Sequence, residues 1–301
     1  MIKDKFAPIN PNNSLFQNLI LDPPKWWDNL KRDEDIYIDI RKGNYINVYY
    51  NGGALMKLRF VNGKYDALIS KKYVCLLDYS KDYVNYDVSK TEINFDFSKM
   101  KIINLNNFEK YPLKLLKSQI EMYYNNDSEK GIQANFVLND GCFIDTEFEY
   151  SYDSPDKKES CTIRIDLVRI DIVSKKIVFF ELKTIGDKRL YNNELTEQLR
   201  GYNEFITLHE LDLLNYYNIL FLIKKELGIL PIGLKGLSSL SGFEILKKPI
   251  LLFGNCQQKW IEDNSIDIDS KIKSFATGSF YFGSTKSKCD LNLKHKNRHI
   301  Y

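Results

Sequence analysis

Ile163-Arg164-Ile165-Asp166-Leu167-Val168-Arg169-Ile170-Asp171-Ile172-Val173-Ser174-Lys175-Lys176-Ile177-Val178-Phe179-Phe180-Glu181-Leu182-Lys183 is the stretch from which the fold can be read. Two runs rich in β-branched and apolar residues flank the polar Ser174-Lys175-Lys176, a pattern that predicts a β-hairpin. The second run is apolar at four consecutive positions, Ile177 to Phe180, so both of its faces should be covered and the strand should lie inside a sheet. Glu and Lys are rarely tolerated unpaired in such a strand, yet Glu181 and Lys183 end it.

A two-residue turn at Ser174-Lys175 would set Val173 opposite Lys176 and, counting back, Asp166 opposite Lys183. Residues two apart share a face, so Glu181 joins them, while Asp171 points to the other side and pairs with Arg169. Two carboxylates in one place repel unless a cation lies between them, and hard oxygen ligands suit Mg²⁺ or Mn²⁺. Such an ion polarises a phosphoryl oxygen and acidifies a bound water, and a neighbouring ammonium can orient that water or meet the developing charge. Elsewhere an Asp and a Glu-x-Lys on a hairpin are most often a solvated face; the apolar second strand argues otherwise here.

At Asp166, Glu181 and Lys183 the chain resembles the PD-(D/E)xK nuclease superfamily, with Ile165 where a proline usually precedes the aspartate. Downstream, Gln198-Leu199-Arg200-Gly201-Tyr202 resembles the Gln-x-x-x-Tyr motif of RecB-like members, on the helix that follows the Glu-x-Lys strand. Gln198 and Tyr202, four residues apart, would share one helical face and reach the same site. The resemblance implies catalysis by Asp166, Glu181, Lys183, Gln198 and Tyr202, with Mg²⁺ or Mn²⁺ on Asp166, Glu181 and a further acid. For that acid, Asp145, Glu147 and Glu149 alternate on an expected strand over 142–152, and Glu149 ranks above Glu147. Members often carry an acid on the first core helix, which makes Glu121, on an amphipathic helix expected over 113–124, an auxiliary candidate.

The first hundred residues have a different texture. Asp22-Pro23-Pro24 precedes a helix containing Trp26 and Trp27. Strand-like runs follow at 36–40, 45–50, 55–61 and 65–69, separated by Lys42-Gly43, Asn51-Gly52 and Asn62-Gly63, the last two being strong hairpin signals. Tyr45, Tyr49 and Tyr50, interleaved with Lys57 and Arg59, suit either nucleic-acid contact or half-buried sheet packing. Residues 96–111 read as polar and irregular.

Beyond Lys183 the pattern predicts a helix with Leu195, Leu199, Tyr202 and Ile206 inward, capped by Asn192-Asn193, and a second helix from Leu208 to Leu227 ending at Gly228. Gly228 to Gly242 lacks phosphate-loop spacing and reads as connection. Buried strands are expected at 249–254 and 272–282, and the basic segment 286–299 as a solvated end or a phosphate contact.

With 44% hydrophobic and 14% aromatic residues the chain can build a sizeable core, so disorder is not expected. A net charge of +3 neither demands nor excludes nucleic acid. Cysteines 75, 142, 161, 256 and 289 lack metal or disulfide spacing, and the residues after Met1 lack an apolar export signal, which points to the cytoplasm. No apolar run is long enough for a bilayer, so no membrane partner is expected.

The fold expected is α/β: an N-terminal α+β module over 1–110 with an antiparallel meander, then a restriction-endonuclease-like core over 111–301 with a mixed sheet flanked by helices. The function implied is metal-dependent hydrolysis of nucleic acid, DNA ahead of RNA, by a chain that can also form a homodimer. Two alternatives stand beside it: a catalytically silent binding module of the same fold, and a phosphoesterase of small nucleotides.

Overall fold

The computed structural model describes residues 9–70, 73, 83–85, 112–153, 160–283 and 298–300. The segment 96–111 and most of the basic stretch after 286 lie outside them.

Two short helices, α1 (Ser14–Leu21) and α2 (Lys25–Arg32), lead into five strands: β1 (Ile36–Arg41), β2 (Tyr45–Tyr50), β3 (Gly53–Val61), β4 (Lys64–Ser70) and β5 (Tyr83–Asn85). Pro24 rather than Asp22 caps α2, and α1 has its N-cap in the Asn13 side chain, which accepts from the Leu15 amide. The strands pair in sequence order, each antiparallel to its neighbour. Both Asn-Gly turns work as their chemistry requires, with positive φ at Asn51, Gly52, Asn62 and Gly63.

The second half opens with α3 (Pro112–Tyr123) and α4 (Glu129–Asp140), followed by an antiparallel meander of β6 (Phe143–Asp153), β7 (Ser160–Asp171) and β8 (Lys176–Thr184). Helices α5 (Glu194–Leu208) and α6 (Glu210–Glu226) then carry the chain past the short β9 (Glu244–Ile245) to β10 (Ile250–Gly254), parallel to β8. Helix α7 (Gln258–Ile272) crosses to β11 (Gly278–Tyr281), parallel to β10, and β12 (Arg298–Ile300) closes the edge antiparallel to β11. The strand expected over 272–282 is thus a helix end followed by a four-residue strand, and residues 298–300 pair with it. The protein is a mixed α/β chain with one antiparallel sheet and one mixed sheet flanked by helices.

β8 lies between β7 and β10, buried from Ile177 to Lys183. Val178, Phe180 and Leu182 pack with Ile132 and Phe136 of α4, whereas Ile177 and Phe179 pack with Tyr217 and Leu220 of α6. Covering both faces removes the polar alternation of a half-exposed strand. Glu181 and Lys183 continue the α6-facing row.

The hairpin register differs from the expected one. Asp171 faces Lys176, and Ile172 to Lys175 form a four-residue loop with Lys175 at positive φ. Ser174-Lys175 lacks the Asn-Gly pair that a two-residue turn favours, and Asp171 instead holds the loop by accepting from the Val173 amide and the Ser174 hydroxyl. Asp171 is therefore not the partner of Arg169, which binds Asp140 at 2.8 Å. Lengthening a turn by two preserves parity, and the ladder ends at Leu167–Phe180, so its continuation would bring Asp166 to Glu181 rather than to Lys183.

One apolar cluster runs from Ile9 and Trp27 beside the first sheet to Phe253 and Tyr281 in the second. A buried polar network joins the sheets as well. Arg41 at the end of β1 donates to Asp145 (2.9 Å), Tyr49 (2.8 Å), the Thr146 hydroxyl (2.9 Å) and the Thr146 carbonyl, while Lys224 of α6 donates to Asp39 (2.7 Å) and the Ile144 carbonyl (2.5 Å).

Candidate functional site

Asp166 sits where β7 parts from β8, since the ladder between them ends at Leu167 and Phe180. Its Oδ2 replaces a ladder acceptor by taking the Leu182 amide at 2.8 Å. Leu167 packs in the α4 cluster but Ile165 and Ile163 in the other, so side-chain alternation along β7 breaks at Asp166. Across on β6, the ladder resumes on either side of Glu147, whose φ of 52° is left-handed. A non-glycine residue held there stores strain that the surrounding structure must maintain, a feature concentrated at functional sites.

Glu181 is 1% exposed, and the structure brings three of the sequence-predicted residues onto it. Its Oε1 accepts from the Lys183 ammonium and from Gln198 Nε2 (2.7 Å), and its Oε2 accepts from the Tyr202 hydroxyl (2.7 Å). The Gln198 amide also reaches Tyr202 at 2.8 Å, as expected of positions four apart on α5. Burial and then the Glu181 charge push the Tyr202 phenol well above its ordinary range, so it acts as a donor. Lys183, also 1% exposed, lies 3.9 Å from Asp187, whose carboxyl is held low by Arg189 against the upward push of partial burial.

Asp166 has the opposite electrostatics. Burial first, then the neighbouring Glu181 carboxylate, raise it well above the usual carboxylate range, and Lys183 only partly compensates. The two acids thus form a desolvated like-charge pair whose strain a cation would relieve.

α4, not anticipated from the sequence, supplies the other wall. Its Ser128 cap, its inward Ile132 and Phe136 and the left-handed Gly141 just past its end were the available signals. Gln133, 2% exposed, donates to Glu147 at 3.0 Å and to the Asp166 carbonyl at 2.7 Å, and Lys130 forms an ion pair with Glu147. Burial would raise Glu147, but Lys130 and Gln133 bring it below its ordinary value. Glu129, raised chiefly by burial, lies within electrostatic reach of Lys183 and Glu181. The β2–β3 turn presses on the start of this helix: a Cβ at Gly52, which has a φ of 78°, would fall 2.2 Å from the Lys130 carbonyl oxygen. Packing of the first sheet therefore sets where α4 begins.

Two expected acids are elsewhere. Glu149 is exposed and bound to Arg164 at 2.9 Å, so Glu147 is the β6 acid next to Asp166. Counting alternate residues along β6 fails because the strand is irregular between Phe143 and Asp145 and again at Glu147. Glu121 lies on α3, accepts from the Tyr50 hydroxyl and lines a separate cleft.

Among the described residues no three His, Cys, Asp or Glu side chains stand close enough to enclose a metal ion. Mg²⁺ does not require such a cage, because it commonly takes one or two carboxylates and completes its octahedron with water and substrate phosphate. Asp166 and Glu181 fit that demand. Asp166 Oδ1 has no donor among the described residues, whereas Glu181 would have to release one of its three donors. Among the described residues no helix is long and apolar enough to cross a membrane. Comparisons with protein-family models, with curated proteins and with solved structures find no match to this chain.

Proposed function

We propose that this chain hydrolyses phosphodiester bonds of nucleic acid, DNA ahead of RNA, with Mg²⁺ or Mn²⁺ held by Asp166 and Glu181 in a restriction-endonuclease-like core. The observation that carries the reading is the pair of half-buried Asp166 and buried Glu181, with Asp166 raised by desolvation and then by Glu181, and Glu181 met by Lys183, Gln198 and Tyr202. The order α4, antiparallel β6-β7-β8, α5 and parallel β10 supports such a core. When bound, the ion would polarise a phosphoryl oxygen and generate hydroxide from water at neutral pH.

The protein's own groups divide the remaining work. Tyr202 and Gln198 fix the plane of the Glu181 carboxylate, and Lys183 holds a positive charge beside it that can face a phosphate oxygen. Glu147, held by Lys130 and Gln133, presents a carboxylate that is partly open to solvent, with its side chain 23% exposed.

The test is cleavage of linear duplex, circular duplex and single-stranded DNA and of RNA, with Mg²⁺, Mn²⁺ or chelator. Cleavage that persists in chelator, or no cleavage of any of these polymers with either ion, overturns the reading. Lys183→Ala is expected to lower turnover far more than metal affinity, because an ammonium is not a ligand; calorimetric titration of Mn²⁺ beside initial rates separates the two. Gln198→Ala and Tyr202→Phe each remove support of a ligand and are expected to cost about 10- to 100-fold in rate with the fold retained. Unchanged rates in both would detach the helix motif from the site.

The saturation of Glu181 favours a second reading, a module that binds nucleic acid through this fold without cutting it. Mn²⁺ binding by the unmodified protein, lost in Asp166→Asn, decides for the first reading.

A further inference from the structure

A cleft of about 700 Å³ runs between β2 of the first sheet and the outer strands β6 and β7, and Glu147 lies on its wall. That size is in the range of ligand pockets, roughly 300–1,000 Å³. Tyr45 and Asn47, alternate residues of β2, line one side, and Lys42 and Arg164 bring positive charge to it. The Lys57 ammonium stands 3.7 Å from the Tyr45 ring centroid, so charge and an aromatic surface coincide. The other tyrosines are otherwise engaged: Tyr49 is buried, stacked on Tyr37 and bound to Arg41, and Tyr50 belongs with Glu121.

The geometry points to a single-stranded segment of nucleic acid as the occupant of this cleft, with a base against Tyr45 and Asn47 and backbone phosphates at Arg164 and Lys42. The inference rests on the proposed nuclease reading for its ligand class and adds where the strand lies and which part of the first sheet holds it. Glu147 belongs both to the cleft and to the Gln133 link with the Asp166 carbonyl, so the cleft adjoins the candidate site at that residue. A single strand fits and a duplex does not, because only an unpaired, unstacked base can lay its face on Tyr45. Arg164 forms an exposed pair with Glu149, both side chains more than half exposed, and such pairs exchange readily for a phosphate. Aromatic stacking combined with cationic backbone contact is the general means of holding single strands.

The experiment measures binding of a fluorescent oligothymidylate and of a duplex of equal length to the full chain in chelator, so that nothing is cut. Tyr45→Ala is expected to weaken oligothymidylate binding about tenfold or more, with Tyr45→Phe close to the parent. Arg164→Ala is expected to reduce the salt dependence by about one phosphate contact. Hydrolysis of a p-nitrophenyl ester of thymidine monophosphate, too small to span the cleft, is expected to fall less in both variants than cleavage of the oligonucleotide. Variants that bind like the parent while the parent cleaves DNA overturn the cleft assignment alone, as does tighter binding of the duplex. A parent that binds through Tyr45 but cleaves neither polymer nor ester with Mg²⁺ or Mn²⁺ overturns the nuclease reading and leaves the cleft standing.

Discussion

On the proposed reading, Asp166→Asn and Glu181→Gln are each expected to lower metal-dependent cleavage by about a thousandfold or more, because the ion they would hold would supply several kcal/mol of transition-state stabilisation. Asp171→Asn is expected to cleave like the parent, since Asp171 holds the β7–β8 loop and takes no part in the site. Stability should move the opposite way in Asp166→Asn. Asp166 is raised by burial and by Glu181, so it is protonated in both states at low pH, and as pH rises the unfolded chain releases its proton first. Folding therefore loses stability as pH climbs from the ordinary carboxylate range towards the raised folded value. The asparagine has no proton to lose and is expected to be more stable than the parent in chelator at pH 7, by about 1 kcal/mol. Added Mg²⁺ or Mn²⁺ should close the gap by stabilising only the parent. Melting curves in chelator and in Mn²⁺ check this, and an Asp166→Asn protein that cuts DNA normally would remove Asp166 from the site.

The second large effect concerns the network between the sheets. Arg41→Met removes the donor shared by Asp39, Asp145, Tyr49 and Thr146 and leaves the two buried carboxylates with one cation fewer, Lys224 on Asp39 remaining. The cost of breaking such a buried charged cluster from one side is roughly 3–5 kcal/mol. Urea unfolding should show it as a lower midpoint at unchanged slope. Asp145 within this network is pushed up to about 7, by burial first and by Asp39, against the pull of Arg41. Its Oδ2 is buried with no hydrogen-bond partner among the described residues, which a neutral carboxyl tolerates better than a carboxylate. Its contribution is present below its ordinary value of 3.8 and is lost as pH rises to about 7, where it levels off. Asp145→Asn is expected to flatten that part of the stability profile, and a slope unchanged in the variant would place the titration elsewhere.

Local pattern and tertiary packing contributed to different parts of this molecule. The meander of β1 to β4 was legible because Asn51-Gly52 and Asn62-Gly63 demand left-handed backbone that few other pairs adopt. The interior position of β8 was legible because Ile177 to Phe180 leave no polar face, and the meeting of Gln198 with Tyr202 because helical spacing alone brings them together. The nearness of Asp166 to the Glu181 end of β8 survived a mistaken turn, since the loop changed by two residues and the Asp166 carboxylate takes the Leu182 amide. The exchange of Glu149 for Glu147 was not legible. It depends on a left-handed residue inside β6, and an irregular strand ends the alternation by which a face is counted. Nor was the link from Gln133 to Asp166, or that from Arg41 and Asp39 to Asp145 and Lys224, because these partners lie 33 to 185 residues apart. The periodicity of a sequence states which side of an element is buried; which other element covers that side, and so which charges become neighbours, is decided only when the elements pack.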